Sequence, residues 1–248
     1  MRKITLACFS PAGGTRRAAE QMAALLGGAD TYLDLGDAGQ RAACLGADEL
    51  LLLALPVYAG QIPAVKGLLN GLRGENTPCV LLAAYGNRHY DDALAQMKAM
   101  LEEQGFCCVG AAAVITPHVF APTLGRGRPD EADRDLLAQL AQKVTQRLER
   151  GQIHSAKLPG NPRPEPKKAV PVAKERDAAL CTRCGRCAAV CPTGAMDTET
   201  LEWDTDRCIS CMACVHACPA HAMTFDAAAL NERLTSNFSA PRQVEIFS

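Results

Sequence analysis

Eight of the thirteen cysteines crowd between Cys181 and Cys218, while five scatter over the first 180 residues. The crowded ones form two runs: Cys181, Cys184, Cys187 and Cys191 before Pro192, then Cys208, Cys211, Cys214 and Cys218 before Pro219. Each run reads C-x2-C-x2-C-x3-C-P. In that spacing three cysteines wrap one corner of an iron–sulfur cubane and the fourth reaches across to a second one. The proline after the fourth cysteine has a fixed φ and no N–H, which aims the chain away from the cubane. By this crossed pattern Cys181, Cys184, Cys187 and Cys218 hold one [4Fe-4S] cluster, and Cys208, Cys211, Cys214 and Cys191 hold the other. A pair of zinc sites is the alternative, but a zinc ribbon uses two cysteines per arm and needs neither a third cysteine nor Cys-Pro. The two runs are copies, because Asp177, the cysteines, Pro192, Ala195 and Met196 recur 27 residues later, ending at Pro219, Ala222 and Met223. So short a module has little core of its own, and bound clusters are expected to hold it folded. His216 and His221 lie nearby, are not needed as ligands and read as exposed.

A second chemistry is written in SPAGGT, Ser10 to Thr15, between an expected strand and helix. Glycines at such a turn let backbone N–H groups approach a phosphate, and the helix start adds donors and a favourable dipole. Ser10 and Thr15 contribute hydroxyls. The loop lacks the lysine of a Walker A motif and the GxGxxG of a dinucleotide fold, which disfavours ATP and NAD. Two further loops, PVYAGQIP (Pro56 to Pro63) and YGNRHY (Tyr85 to Tyr90), carry three of the four tyrosines in a chain only 4% aromatic. Tyr58 and Tyr90 suit the two faces of a planar ring, with backbone groups of Gly86, Asn87 and Arg88 at its polar edge. Tyr85 also fits a plain role filling core space.

These loops need a scaffold. Apolar runs at Lys3 to Phe9, Thr31 to Leu35, Glu49 to Leu55, Cys79 to Ala84 and Cys107 to Ile115 read as five strands. Helical periodicity lies over Arg16 to Leu26, Ala64 to Asn70, Asp91 to Gln104 and Asp130 to Arg150. This alternation predicts an open, mostly parallel, doubly wound sheet with ligands beyond the carboxyl ends of its strands. Five of the fifteen prolines fall between Pro159 and Pro171, which marks an extended linker. The long loop Thr116 to Asp133 offers His118, Arg126 and Arg128 to cover a ring ligand or dock the cysteine module. Its plain alternative is a solvated loop capped by Asp130 at the last helix. Cys8, Cys44, Cys79, Cys107 and Cys108 read as buried small hydrophobes. The tail after residue 226 is either frayed or folded back across the first unit.

On FSPAGGTRR, PVYAGQIP, YGNRHYDDA and the doubled cysteine motif, the chain resembles the flavodoxin–ferredoxin fusion proteins of anaerobic bacteria. The resemblance implies an α/β flavodoxin-like five-stranded parallel sheet over residues 1–150 and a proline-rich linker over 151–176. A small α+β two-[4Fe-4S] ferredoxin-like domain follows over 177–226, with a C-terminal tail over 227–248. It implies FMN, with the phosphate on Ser10, Ala12, Gly13, Gly14 and Thr15. The ring would lie at Pro56, Val57, Tyr58, Ala59 and Gly60 on one loop and Tyr85, Gly86, Asn87, Arg88 and Tyr90 on the other. One departure is Asn87, directly after the Tyr-Gly pair, where flavodoxins often carry an aromatic. One ring face is therefore open, or covered by Tyr90 or the ferredoxin module.

Composition bounds the function. The 248 residues are 48% hydrophobic and 21% charged, enough for a packed core. Lys and Arg number 26 against 27 Asp and Glu, which points to neither nucleic acid nor a membrane surface. With two clusters at a net −2 each, the formal charge of −1 becomes about −5, still short of the strongly acidic surface of ordinary flavodoxins. No apolar run is long enough for a spanning helix. The first residues turn to Ser-Pro-Gly too early for a signal-peptide core, so a reducing, cytoplasmic setting is expected, where dense cysteines mean metal rather than disulfides. The expected function is electron transfer between the clusters, FMN and redox partner proteins in anaerobic metabolism. The alternative is an FMN-dependent reductase of a small organic acceptor, with His89, Tyr90 or His118 as proton donor. A redox sensor is a third reading, but nothing resembling a DNA-binding helix pair supports it. A homodimer is compatible with the sequence.

Overall fold

The longest apolar runs become the middle of one sheet. The computed structural model describes residues 2–167 and 171–248; Met1 of the N-terminal unit and 168–170 of the proline-rich segment lie outside the described residues. In chain order the first part runs β1 (Ile4–Cys8), α1 (Gly14–Leu25), β2 (Thr31–Asp34), β3 (Ala42–Leu45), β4 (Leu50–Pro56), β5 (Gly71–Gly74), β6 (Thr77–Tyr85), α2 (Ala93–Glu102), β7 (Phe106–Ile115) and α3 (Glu131–Glu149). The rest runs β8 (Ala173–Arg176), α4 (Arg186–Ala189), α5 (Ala213–His216), β9 (Met223–Asp226), α6 (Ala228–Phe238) and β10 (Glu245–Phe247).

β4 and β6 are apolar on both faces and almost wholly buried, as parallel strands covered by helices must be. The main sheet has the order β10-β7-β6-β4-β1-β2. Its last five strands in that order are mutually parallel, and β10 pairs antiparallel with β7. The sheet therefore carries six strands rather than the expected five, the extra one coming from the tail. α1 and α3 pack on each other, while α2 packs on β6 and β7. α3 starts on a capping box in which the Asp130 carboxylate accepts from Asp133 N–H and the Asp133 carboxylate accepts from Asp130 N–H.

Residues 64–70, expected as helix, are turns. The segment is too short to repay helix nucleation, and Gly67 at φ +71° interrupts it. Directly after it, β5 pairs with β3 in a separate two-stranded parallel sheet. The proline-rich segment is tied along the α/β unit. Asn161 N–H donates to Asp92 Oδ1 at 2.8 Å, and the buried Gln61 donates to Glu165 O at 2.7 Å and accepts from Lys167 N–H at 3.2 Å. Residues 173–176, counted with the linker by composition, form β8 and pair antiparallel with β9. The tail folds back, with α6 resting on the loop after β7 through Leu230, Leu234 and Phe238 against Phe120, Ala121 and Leu124.

Candidate functional site

In the main sheet β2 lies on one side of β1 and β4 on the other, so successive connections leave in opposite directions and open a crevice at their carboxyl ends. A cleft of about 1260 Å³ sits at that point, lined by the loops after β1, β4, β6 and β7 and by residues from the cysteine module and α6.

The loop after β1 is built for an anion. Gly13 adopts φ +80° and caps α1 without a side-chain bond. Ser10 Oγ accepts from Arg16 N–H at 2.9 Å, and Arg17 N–H bonds Gly13 O at 3.2 Å. The N–H groups of Gly14 and Thr15 have no acceptor within the helix. No acidic residue stands in the first turn of α1. Ser10, Ala12, Gly14 and Thr15 line the cleft, while Gly13 shapes the turn from outside the lining.

Two tight turns contribute to the cleft lining. Tyr58 and Gln61 exchange backbone bonds at 2.8 and 3.0 Å around Ala59 (φ +52°) and Gly60 (φ +86°). Gly60 is required there, since a Cβ would collide with the Asp91 side chain. His118 and Ala121 form the equivalent turn after β7. Pro56, Val57, Tyr58 and Ala59 line the cleft, as do Gly86 and Arg88. Gly86 has His118 packed where a Cβ would stand. Burial works against the Asp91 carboxylate, but the Arg88 guanidinium bound to it holds its pKa below the ordinary range, and the pair fixes Arg88 at the rim.

The third loop differs from the sequence reading in its aromatics. Tyr90 is buried, stacks on His89 with ring centroids 4.6 Å apart, and donates its hydroxyl to Glu245 of β10 at 2.7 Å. Asn87, at φ +64°, turns into the tail, donating to Phe238 O at 2.7 Å and Ala240 O at 3.0 Å and accepting from Arg242 N–H at 3.2 Å. Tyr85 is buried at the end of β6. These three and Gly60 lie outside the cleft lining. Residue type alone did not reveal that Asn87 and Tyr90 are claimed by a tail more than 150 residues away. Arg128 is likewise engaged elsewhere, with Asp130, Asp133 and Arg242 O, and Arg126 is exposed.

His118 does line the cleft. Burial pushes its pKa down to about 4, so the ring is neutral near pH 7. Nδ1 accepts from Phe120 N–H at 3.1 Å, which leaves the proton on Nε2.

The eight crowded cysteines separate into two sets. One small cavity is lined by Cys181, Cys184, Cys187 and Cys218. A second is lined by Cys191, Cys208, Cys211 and Cys214, together with Trp203 and Lys174. Each set is three cysteines of one run with the fourth of the other. Sulfur atoms in both sets meet donors: Ala222 N–H lies 3.3 Å from Cys218 Sγ and Ser210 N–H 3.5 Å from Cys208 Sγ. Lys174 Nζ, on a residue only 8% exposed, lies 3.1 Å from Cys208 Sγ. Cys191 is opposed by burial, yet N–H groups of Met196, Thr193 and Ala195 lower its pKa. Burial pushes Cys211 up to about 12. Soft thiol donors in fours, each set ringed by N–H groups, fit a cubane with cysteine ligands.

The second set adjoins the cleft. Ile209 and Cys211 pack into the core of the α/β unit and also line the cleft. Arg41 donates to Pro192 O, directly after Cys191, at 3.1 Å. Tyr58 is partly open to the cleft, but its hydroxyl is surrounded by protein. Burial first and the Cys211 thiol second raise its pKa well above the ordinary tyrosine range. His216 is exposed at the cleft edge and His221 is exposed on a turn. Sequence reasoning missed Phe120, the face of α6 and Lys174, which distant chain segments bring to the site.

Residues 173–219 match the 4Fe-4S dicluster domain family. Among solved structures, the chain is similar to a protein described as a flavoprotein from Bacteroides uniformis, at 14% identity over 57% of this chain and 98% of that one, with a TM-score of 0.39. A counterpart from Bacteroides eggerthii gives 15% identity, 58% and 99% coverage, and a TM-score of 0.38. The Flv1 flavodiiron core from Synechocystis gives 13% identity over 60% of this chain and 36% of that one, with a TM-score of 0.38. No curated protein matches significantly. Among the described residues no helix is long and apolar enough to cross a membrane.

Proposed function

We propose that the chain is an electron-transfer flavoprotein, with FMN in the cleft and a [4Fe-4S] cluster in each cysteine pocket. The observation that carries this is Cys211, which lines both the second cysteine cavity and the cleft at the strand switch point. The order β2-β1-β4-β6-β7 is the flavodoxin-like 2-1-3-4-5 order, in which FMN binds at this crevice. When bound, the clusters carry single electrons and the flavin exchanges one or two, so the set links one-electron to two-electron chemistry.

The chain's own groups do the holding and tuning. N–H groups of Gly14 and Thr15, with the hydroxyls of Ser10 and Thr15, receive the phosphate. Tyr58 and Gly86 border the ring, Arg88 stands at its rim, and His118 offers a neutral Nε2–H donor. Phe120 meets Phe225 of the cysteine module edge-on at 5.9 Å and helps fix the module against the cleft. Lys174 and the N–H groups around the sulfurs stabilise negative charge on the cysteine sets. Donor and acceptor proteins would meet the exposed Cys184 side of the first set. A second reading, reduction of a small organic molecule at the cleft, is favoured by the cleft volume, above the roughly 300–1,000 Å³ that holds one drug-sized ligand.

The test is anaerobic reconstitution with iron, sulfide and FMN. Ala12→Glu places a carboxylate beside the phosphate loop and is expected to abolish FMN retention while both clusters assemble. Cys184→Ser is expected to remove one cluster and keep FMN. Full FMN retention by Ala12→Glu, or FMN loss on Cys184→Ser, contradicts the proposal.

A further inference from the structure

The cleft is sharply one-sided in charge. Among the described residues its lining includes Arg17, Lys66, Arg88, Lys167 and Arg233 and no Asp or Glu, although the chain balances 26 cationic against 27 acidic residues. Three of these cations have local work. Arg88 is paired with Asp91, Lys167 Nζ donates to Ala59 O at 3.1 Å, and Arg17 stands in the first turn of α1 beside the phosphate loop. Lys66 and Arg233 make no ion pair among the described residues.

α6 supplies a whole helical face to the cleft. Leu230, Arg233, Leu234, Asn237 and Phe238 follow the spacing of one stripe. The apolar members anchor the helix on the loop after β7. An exposed guanidinium without a carboxylate partner, on the same helical stripe as Leu230, Leu234 and Phe238, is the chemistry that selects an oxyanion on an apolar body.

We propose that the cleft binds, beside the cofactor, a small organic anion with a planar apolar body and a carboxylate, sulfonate or phosphate group. Arg233 with Lys66 takes the charge, and the apolar members of the α6 stripe border the body. This site rests on the reading that FMN fills the part of the cleft between the phosphate loop and Tyr58.

The probes are naphthalene-2-sulfonate and its neutral analogue naphthalene-2-sulfonamide, titrated by fluorescence into the FMN-loaded, cluster-reconstituted chain. The sulfonate is expected to bind about tenfold more tightly than the sulfonamide, with an affinity that falls as salt rises. Arg233→Ala is expected to weaken the sulfonate about tenfold and to change the sulfonamide less than about twofold, with bound FMN unchanged. Lys66→Ala should act in the same direction. Equal affinity for the two probes, or unchanged sulfonate binding in Arg233→Ala, overturns the site. So does FMN loss in Arg233→Ala, which would make Arg233 a ligand of the cofactor phosphate. A wild-type chain that retains no FMN overturns the flavin reading itself, and the second site with it.

Discussion

The two cysteine pockets are copies in sequence and opposites in surroundings. The pocket of Cys191, Cys208, Cys211 and Cys214 is pressed against the α/β unit. Ile209 and Cys211 lie in the larger core, and an amine from β8 stands beside Cys208. A small core of Cys187, Met196, Leu201 and Met223 lies between the sets, with Cys181 and Cys218 of one and Cys191 and Cys214 of the other packed against it. Among the described residues, the pocket of Cys181, Cys184, Cys187 and Cys218 has no such contact with the larger core. Its outer side shows an exposed Cys184 and Leu180, 52% exposed and the exposed large hydrophobic among the described residues. Duplication supplies two equal cysteine sets, and on the proposed reading their packing gives them an inner and an outer role. The inner set has the neighbour needed to exchange electrons with a ligand in the cleft. The outer set has the access needed to meet a second protein.

The largest expected effects come from removing one ligand on each side. Cys184→Ser should lose the outer cluster only, and Cys211→Ser the inner only, read as one remaining cluster signal by electron paramagnetic resonance. Flavin reduction by a protein donor should survive in neither variant, whereas binding of FMN should survive in Cys184→Ser. If Cys211→Ser left that reduction at wild-type speed, the inner role would be wrong.

Access should separate the intact clusters next. Under air or an iron chelator, the outer cluster is expected to bleach at least about tenfold faster than the inner one, because local opening costs least where few apolar contacts cover a site. A single rate for both would remove the contrast. Lys174→Gln should then lower the potential of the inner cluster on the order of 50 mV and leave the outer one in place, since about 1.4 kcal/mol of lost charge stabilisation is 59 mV for one electron. Redox titration followed by electron paramagnetic resonance reads both at once.

A separate effect, on stability rather than on electron flow, belongs to the cleft wall. His118 has a folded pKa near 4, below its ordinary 6.5, so the unfolded chain takes up the proton first as pH falls. The penalty is absent above pH 6.5 and levels off below about pH 4; between them it grows by about 1.4 kcal/mol per pH unit. His118→Asn should flatten that part of the urea-midpoint profile relative to wild type. An unchanged profile would place the imidazole in water rather than in the wall.

Chemistry confined to a few consecutive residues was legible in the sequence. The cysteine spacing, the Ser10 to Thr15 turn and the loop from Pro56 to Pro63 each depend on neighbours along the chain. What escaped depends on distant segments. Tyr90 looked available to a ring because its type permits stacking, yet Glu245 and the tail strand take it inward. Asn87 looked like a ligand residue and is the clasp for residues 238–242. Residues 64–70 had helical periodicity but too little length to overrule Gly67. β10 is three residues long and stable only because the edge of β7 is there to receive it.

The most direct measurement is the cofactor content of the chain purified or reconstituted anaerobically, taken with its electron paramagnetic resonance spectrum in the fully reduced state. One FMN per chain and iron and sulfide for two [4Fe-4S] clusters are expected, with the inner cluster magnetically coupled to the outer one. Bound zinc in place of iron, a single cluster, or a chain that retains no flavin would contradict that expectation.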